Sequence, residues 1–217
     1  MNWLAPIALC CVPLAAETLH YSLNWPSGLS LGEASLKSNR AEAWAFEMEV
    51  DASVPGFAIR DTYRSSASSD LCSEQLDKTV SHGSRTSQER IAFDQHKNVV
   101  TRQTLPAGGK TEIPVPRCAR DPLTFLQFVR NELAQGRLAP QQPVVFGALY
   151  DIRLEVLGTQ QVRVGDERKE TDRIQATLKG PVTALTFELY FTRDAARTPV
   201  MAKLPLPLGT FTVELIR

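Results

Sequence analysis

The chain has 217 residues, of which 24 are basic and 24 acidic, so its formal net charge at neutral pH is zero. The two signs are interspersed, as in residues 163–173 (RVGDERKETDR), which argues against nucleic acid or an anionic membrane surface as an electrostatically held partner. Neutrality leaves room for a lipid held by apolar contact.

Residues 3–16 (WLAPIALCCVPLAA) carry no charge and are mostly apolar, and polarity returns at Glu17, Thr18 and His20. That is the shape of an export signal, although the only positive charge ahead of it is the α-amino group. As a helix the stretch would reach about 21 Å against a hydrocarbon core of roughly 30 Å, too short to span a membrane. Cleavage is expected after Ala15 or Ala16, giving a signal peptide over 1–16, a single domain over 17–217 and a periplasmic or secreted protein with no transmembrane segment. The alternatives are a buried N-terminal element or a lipid anchor at Cys10 or Cys11. Leu9 and Cys10 fit the anchor poorly, because a small residue precedes a lipidated cysteine. Cleavage would leave two cysteines, Cys72 and Cys118, and an oxidising compartment favours their pairing. With no CxxC spacing and no histidine pair nearby, no metal or cofactor is expected.

From Leu19 to about Thr104 apolar and polar residues alternate, and turn signals recur at Pro26-Ser27-Gly28, Pro55-Gly56, Ser81-His82-Gly83 and Ala107-Gly108-Gly109. This pattern predicts antiparallel strands joined by hairpins. In residues 45–52, Phe46, Met48 and Val50 alternate with Glu47, Glu49 and Asp51, which gives one buried and one wet face. One helix is expected from Pro122 to about Gln135, with Asp121 as N-cap and Gly136 as terminator. Leu123, Phe125, Leu126, Val129 and Leu133 cover an arc of roughly 160°, too wide for a helix lying on a flat sheet, and Phe128 falls outside it. The helix should therefore be cupped by a curved sheet, with Phe128 against a loop or a ligand and Arg130 on the rim, paired with a strand carboxylate or facing a ligand's acidic group. Strands are expected to resume at 143–146, 151–157, 161–164, 172–179, 185–193, 198–203 and 209–216. Pro205 and Pro207 mark a sheet edge, bulge or crossover.

The fold class that follows is mainly β: a single curved antiparallel sheet of about a dozen strands, a half-barrel or open barrel, wrapped around one α-helix. Catalytic motifs are absent from the sequence. His20, His82 and His96 stand alone, no GxSxG or SxxK occurs, and the GGKT at 108–111 is followed by Pro114 and Pro116 where a phosphate-binding loop would start its helix. Glu47, Glu49 and Glu188 are the carboxylates a hydrolase reading would need.

Two segments, residues 121–130 (DPLTFLQFVR) and 191–200 (FTRDAARTPV) continuing through 207–209 to Glu214-Leu215, stand with residues 21–25 (YSLNW) and 31–34 (LGEA) in an order that resembles the bacterial DUF 3108 family of unknown function. The resemblance implies an exported, mostly β protein with no activity to carry over, similar more distantly to the half-barrel of periplasmic lipoprotein carriers. Asp194 and Arg197, within the matching segment, look like a hairpin turn stapled by a charge pair. Gly32 and Gly209 are expected where a curved sheet needs close backbone approach or a bulge.

The leading expectation is a non-enzymatic envelope module holding an apolar small molecule, a lipid or a lipidated partner in the concave face, with Leu123, Leu126, Phe128, Val129 and Arg130 facing ligand or core. The alternatives are a structural or protein-interaction component with no cavity, and a carboxylate-dependent hydrolase.

Overall fold

A computed structural model describes residues 15–54, 56–181, 184–207 and 209–216. The expected export signal lies outside the described residues as far as position 14, and Ala15 and Ala16, its two expected cleavage points, open the first strand.

Eight strands come first: β1 (Ala15–Asn24), β2 (Ser30–Arg40), β3 (Trp44–Val54), β4 (Phe57–Ala67), β5 (Ser73–His82), β6 (Arg85–Asp94), β7 (Val99–Leu105) and β8 (Lys110–Pro114). The helix α1 (Pro122–Ala134) follows. Six more strands complete the chain: β9 (Gln142–Val145), β10 (Leu149–Val164), β11 (Glu167–Lys179), β12 (Ala184–Thr192), β13 (Pro199–Leu206) and β14 (Gly209–Leu215). All fourteen lie in one antiparallel sheet in which chain neighbours are sheet neighbours and β1 pairs with β14. The edges of the sheet are β8 and β9, and the chain between them forms α1. Among the described residues no ladder closes the barrel at this seam. Instead the segment entering the helix lies against β9, through a parallel bridge between Arg120 and Val144 and a 2.8 Å hydrogen bond from the Val145 amide to the Arg120 carbonyl.

Among the described residues the sheet has fourteen strands rather than about a dozen, and one difference is instructive. The stretches 151–157 and 161–164 are a single strand, β10, whose pairing with β11 shifts between Val156 and Gly158. Gly158 adopts φ +128°, so what reads as a turn in sequence is a bulge that bends a continuous strand. Beyond it β10 reaches β13, and Val162 is buried in the cluster that holds Tyr190, Val200 and Met201. Pro205 pairs only with β14, because the β12 ladder ends at Lys203, so its missing N–H breaks no bond to a second neighbour. Gly32, at φ +153°, sits beside the irregularity between Leu23 and Asn24, where a Cβ would collide with the Asp51 carbonyl.

The helix begins and ends as its caps dictate. Asp121 accepts hydrogen bonds from the amides of Leu123 and Thr124, Gln135 is the C-cap, and Gly136 follows at φ +72°. Its apolar face is wide because it meets two walls of the rolled sheet. Phe125, Val129 and Leu133 pack on Val144, Ile152, Leu154, Ile174 and Phe191 on one side, and Leu123 packs on Trp44, Phe46 and Ala67 on the other.

Candidate functional site

Antiparallel meandering puts alternate turns at opposite ends of the barrel. One end carries the helix entry, the Cys72–Cys118 disulfide and turns containing Glu42, Asp70, Lys97, Asp166 and Asp194. At the other end the turn segments 25–29, 83–84, 106–109 and 146–148 contain no charged residue. Leu29, Phe57, Phe146 and Leu206, at or beside turns of this end, are exposed large apolar side chains.

Burial along the inward face follows the same axis. Near the helix the inward side chains are buried: Leu19 and Tyr21 on β1, Trp44 and Phe46 on β3, Ser65 and Ala67 on β4, Leu76 on β5, Ile91 and Phe93 on β6, Phe191 on β12 and Leu215 on β14. Toward the other end the same faces carry half-buried residues, Leu23, Met48 and Val50, Ile59, Val80, Leu185, Phe187 and Leu189, and Val213, although Ala52 and Ile152 there are buried. The inward apolar side chains are thus less completely covered toward this end than beside the helix entry, while still packing on the core clusters.

One sector of the inward face is polar. On β4 to β7 the inward positions hold Asp61 and Tyr63, Lys78 and His82, Glu89, and Arg102. Lys78 Nζ lies 2.9 Å from Glu89 Oε2, and Arg102 donates to Glu89 Oε1 through both Nε, at 3.0 Å, and Nη2. Asp61 accepts from the Tyr63 hydroxyl at 3.0 Å and from the Ser81 amide at 3.3 Å, and lies 3.1 Å from His82 Nε2. The β9–β10 turn covers this corner. The Phe146 ring stands 4.3 Å from Lys78 Nζ and 5.7 Å from the Tyr63 ring, and Gly147 lies beside the Arg102 guanidinium. Beneath the turn is a cavity of about 350 Å³ lined by Lys78, Glu89, Arg102, Phe146 and Tyr150 among others. It shares Val80 and Ser87 with a cavity of about 1020 Å³ at the mouth, beside Phe57 and His82. Gly180 makes room for Tyr150, whose ring would collide with a Cβ there.

Burial is the largest single influence on the Glu89 carboxyl and opposes its ionisation. The hydrogen bonds and charges of Arg102 and Lys78 together outweigh burial and hold the carboxyl below its usual value. A carboxyl whose pKa falls on folding stabilises the native state above its unfolded value of about 4.3, and that contribution is lost as pH drops through the folded value. Glu89→Gln is therefore expected to lower stability near pH 7 by about 1–3 kcal/mol, with the difference from wild type shrinking between pH 5 and pH 3 in urea unfolding. Burial, followed by the Asp61 charge, raises the Tyr63 phenol, which stays a neutral donor to Asp61 across the physiological range.

The residues singled out from sequence lie elsewhere. Val129 is buried in the packed face of α1, Leu126 is half-buried beside it, and Leu123 belongs to the opposite wall. Phe128 is half-buried with the Arg120 guanidinium 3.9 Å over its ring, so it packs on the segment entering the helix. Arg130 is buried and forks onto Glu17 of β1, at 2.6 Å and 3.0 Å, while donating to the Ala196 carbonyl. Asp194 and Arg197 share the β12–β13 turn, but not as a charge pair. Asp194 accepts from the amides of Ala196 and Arg197, and the Arg197 guanidinium pairs with Asp172 at 2.6 Å, because its left-handed φ of +47° turns the side chain toward β11. Glu47 pairs with Lys37 and Arg64, and Glu188 with Arg173; both are outward, on strands five places apart in the sheet. Among the described residues no group of three or more His, Cys, Asp or Glu stands where it could hold a metal ion, and no helix is long and apolar enough to cross a membrane.

Lys78, Glu89 and Arg102 escape a motif search because no two of them are close in sequence. The signal available is parity: each is a charged residue on the register of Leu76 and Val80, of Ile91 and Phe93, or of Val100, where apolar residues are due.

A family described as a protein of unknown function (DUF3108) matches residues 18–216. Among solved structures, a β-barrel-like protein of the domain of unknown function DUF1849 from Brucella abortus is similar, with a TM-score of 0.66 at 9% identity, over 92% of this chain and 95% of that one. No curated protein matches.

Proposed function

We propose that this chain, which belongs to the DUF3108 family, is an exported, non-enzymatic envelope module that takes a lipid, another apolar small molecule or the acyl part of a lipidated partner into the less covered end of its barrel. The observation that carries this reading is the burial gradient. Each apolar side chain left half-covered on an inward face still exposes hydrophobic surface, and a ligand chain that covered it would contribute about 25 cal/mol per Å². The uncharged turn segments at this end fit an apolar entrant, although Arg85 and His82 also line the cavity there. Export is supported by the apolar stretch at residues 3–16 and by the disulfide.

The purified protein is expected to bind the neutral fluorophore N-phenyl-1-naphthylamine. Val213→Asp, which places a charge on the half-buried inward wall, should weaken that binding about ten-fold or more, equivalent to about 1.4 kcal/mol. Circular dichroism melting of the variant separates loss of the site from loss of the fold. Equal binding by wild type and a folded Val213→Asp variant would sink the proposal. The second reading, an interaction module that docks through its rim, draws on the exposed Leu29, Phe57 and Leu206. It would gain if the probe failed to bind at all.

A further inference from the structure

We infer that the end of the barrel away from the helix entry docks on the surface of a phospholipid bilayer, held by apolar contact of the β1–β2 and β13–β14 turns. The inference goes beyond the apolar-ligand reading and needs no bound ligand, because it concerns the outer surface of the turns.

Two neighbouring turns form the centre of this face, since β1 and β14 are paired in the sheet. A Cβ on Gly209 would run into the Pro26 ring, and the rings of Trp25 and Phe211 meet edge to face at 4.9 Å. Beside this packed base Leu29 and Leu206 are left 68% and 43% exposed. Phe57 is exposed next to Gly83 of the β5–β6 turn. A single exposed apolar side chain is ordinary, but here they gather. Four of the seven large apolar side chains exposed among the described residues, Leu29, Phe57, Phe146 and Leu206, belong to this end.

Charge decides the occupant. The described turn residues of this end, 25–29, 56, 83–84, 106–109, 146–148, 180–181 and 207, include no charged residue, so none loses ionic hydration on contact with acyl chains. The strand ends that border these turns carry three charges, Arg85, Lys110 and Lys179, all basic and all exposed. Charge-free tips with a cationic border just behind them match the layering of a bilayer, in which phosphates lie above the acyl region. A second copy seated on the same face would bring like charges together. A partner protein's apolar patch would make no use of the basic border. Trp25 suits the interfacial level, and the backbone polar groups of the turns limit insertion to that depth. The zero net charge fits a contact held by apolar burial rather than by long-range attraction.

Tryptophan fluorescence gives a direct test, because beyond residue 16 the sequence has one tryptophan besides Trp25, and that one, Trp44, is buried against Leu123 of the helix. Purified Trp44→Phe protein is mixed with vesicles of palmitoyl-oleoyl-phosphatidylcholine. Trp25 emission should shift to the blue and be quenched by lipid brominated high on the acyl chain, whereas Trp44 in a Trp25→Phe protein should show neither effect. Flotation of the wild type with the same vesicles should survive about 0.5 M NaCl, since screening does not weaken apolar contact. Leu29→Asp combined with Leu206→Asp should lower partitioning about ten-fold or more at an unchanged melting midpoint, because both side chains are exposed. Absence of vesicle binding, binding that the double variant retains in full, or binding that salt abolishes would each overturn the inference. A dimer that the double variant dissolves, found in place of vesicle binding, would overturn it too and assign the face to a second copy. Vesicle binding without uptake of N-phenyl-1-naphthylamine in lipid-free solution would support this inference and sink the proposed ligand site, and uptake without vesicle binding would do the reverse.

Discussion

Asp121→Ala is expected to cost about 3–5 kcal/mol of unfolding free energy, read as a lower urea midpoint at unchanged slope. An N-cap alone is worth about 1 kcal/mol. Asp121 does more, because its carboxyl is fully buried at the point where the helix meets the sheet. One oxygen accepts from the amides of Leu123 and Thr124 at 2.8 Å and 3.2 Å. The other accepts from the hydroxyls of Ser65 at 2.6 Å, Ser73 at 2.5 Å and Thr124 at 2.7 Å. Those groups come from β4, β5 and α1, so one side chain holds the plug to two strands. Alanine would strand the helix amides and three buried hydroxyls in a space where Thr124 and Ser73 are themselves fully buried. Asp121→Asn separates the parts: it can keep the cap, but it offers an amide NH₂ where three hydroxyls donate, and should cost about half as much. A loss below about 1 kcal/mol for alanine would mean that the plug is held chiefly by its apolar face and by the Arg130–Glu17 fork.

The same residue shows how unevenly the sequence discloses this structure. Asp121-Pro122 and Gly136 announce both ends of α1, since capping is local chemistry read within a few residues. The wide apolar face likewise implies a cup, because a helix can bury such an arc only between two walls. What no local pattern discloses is which distant residues complete a buried group. Ser65 reads as part of a serine-rich polar stretch, yet its hydroxyl is a partner for a carboxyl fifty-six positions away. Arg130 was open between a strand acid and a ligand until register placed Glu17 at the closed end of β1. The polar corner is hidden for the same reason. Lys78, Glu89 and Arg102 are ordinary charges on ordinary strands until β5, β6 and β7 are aligned and their side chains fall on the inward face. Strand alternation fixes which residues share a face within one strand, but only hairpin register brings the faces together. Gly158 fails in the opposite sense: glycine signals either a turn or a bulge, and the choice depends on whether the partner strand continues past it, as β11 does.

Replacing both Cys72 and Cys118 with serine should lower stability by about 3–4 kcal/mol, which for a domain of this size is on the order of 10 °C in the melting midpoint. The bond spans 46 positions, and the chain-entropy relation for a loop of that length gives about 4 kcal/mol. The larger part of this effect belongs to the unfolded chain, because the folded geometry around the bond has other supports. The Ser73 amide donates to the Ala119 carbonyl at 3.1 Å. Gln95 bridges the same two segments, donating to the carbonyls of Ser73 and Ala119 and accepting from the Ala119 amide. These bonds keep the β4–β5 turn against the helix entry after the sulfurs are gone, so the variant should fold with its helix in place and simply unfold earlier. Leu71 and Cys118 both sit at φ +59°, a left-handed conformation that costs an L-residue about 1–2 kcal/mol, and the covalent link helps to hold both. Relaxation at these two positions returns some of the lost free energy, which is why the expected value lies below the full entropic figure. The measurement pairs the double serine variant with wild type melted in the presence and absence of reductant, and the reduced wild type should match the variant. If all three melt together, the Gln95 bridge suffices without the bond, and the disulfide loses its weight as support for an oxidising compartment. If reduction lowers the midpoint as expected, the fold is matched to an environment in which the bond persists, and the plug at the closed end depends on that chemistry as well as on Asp121.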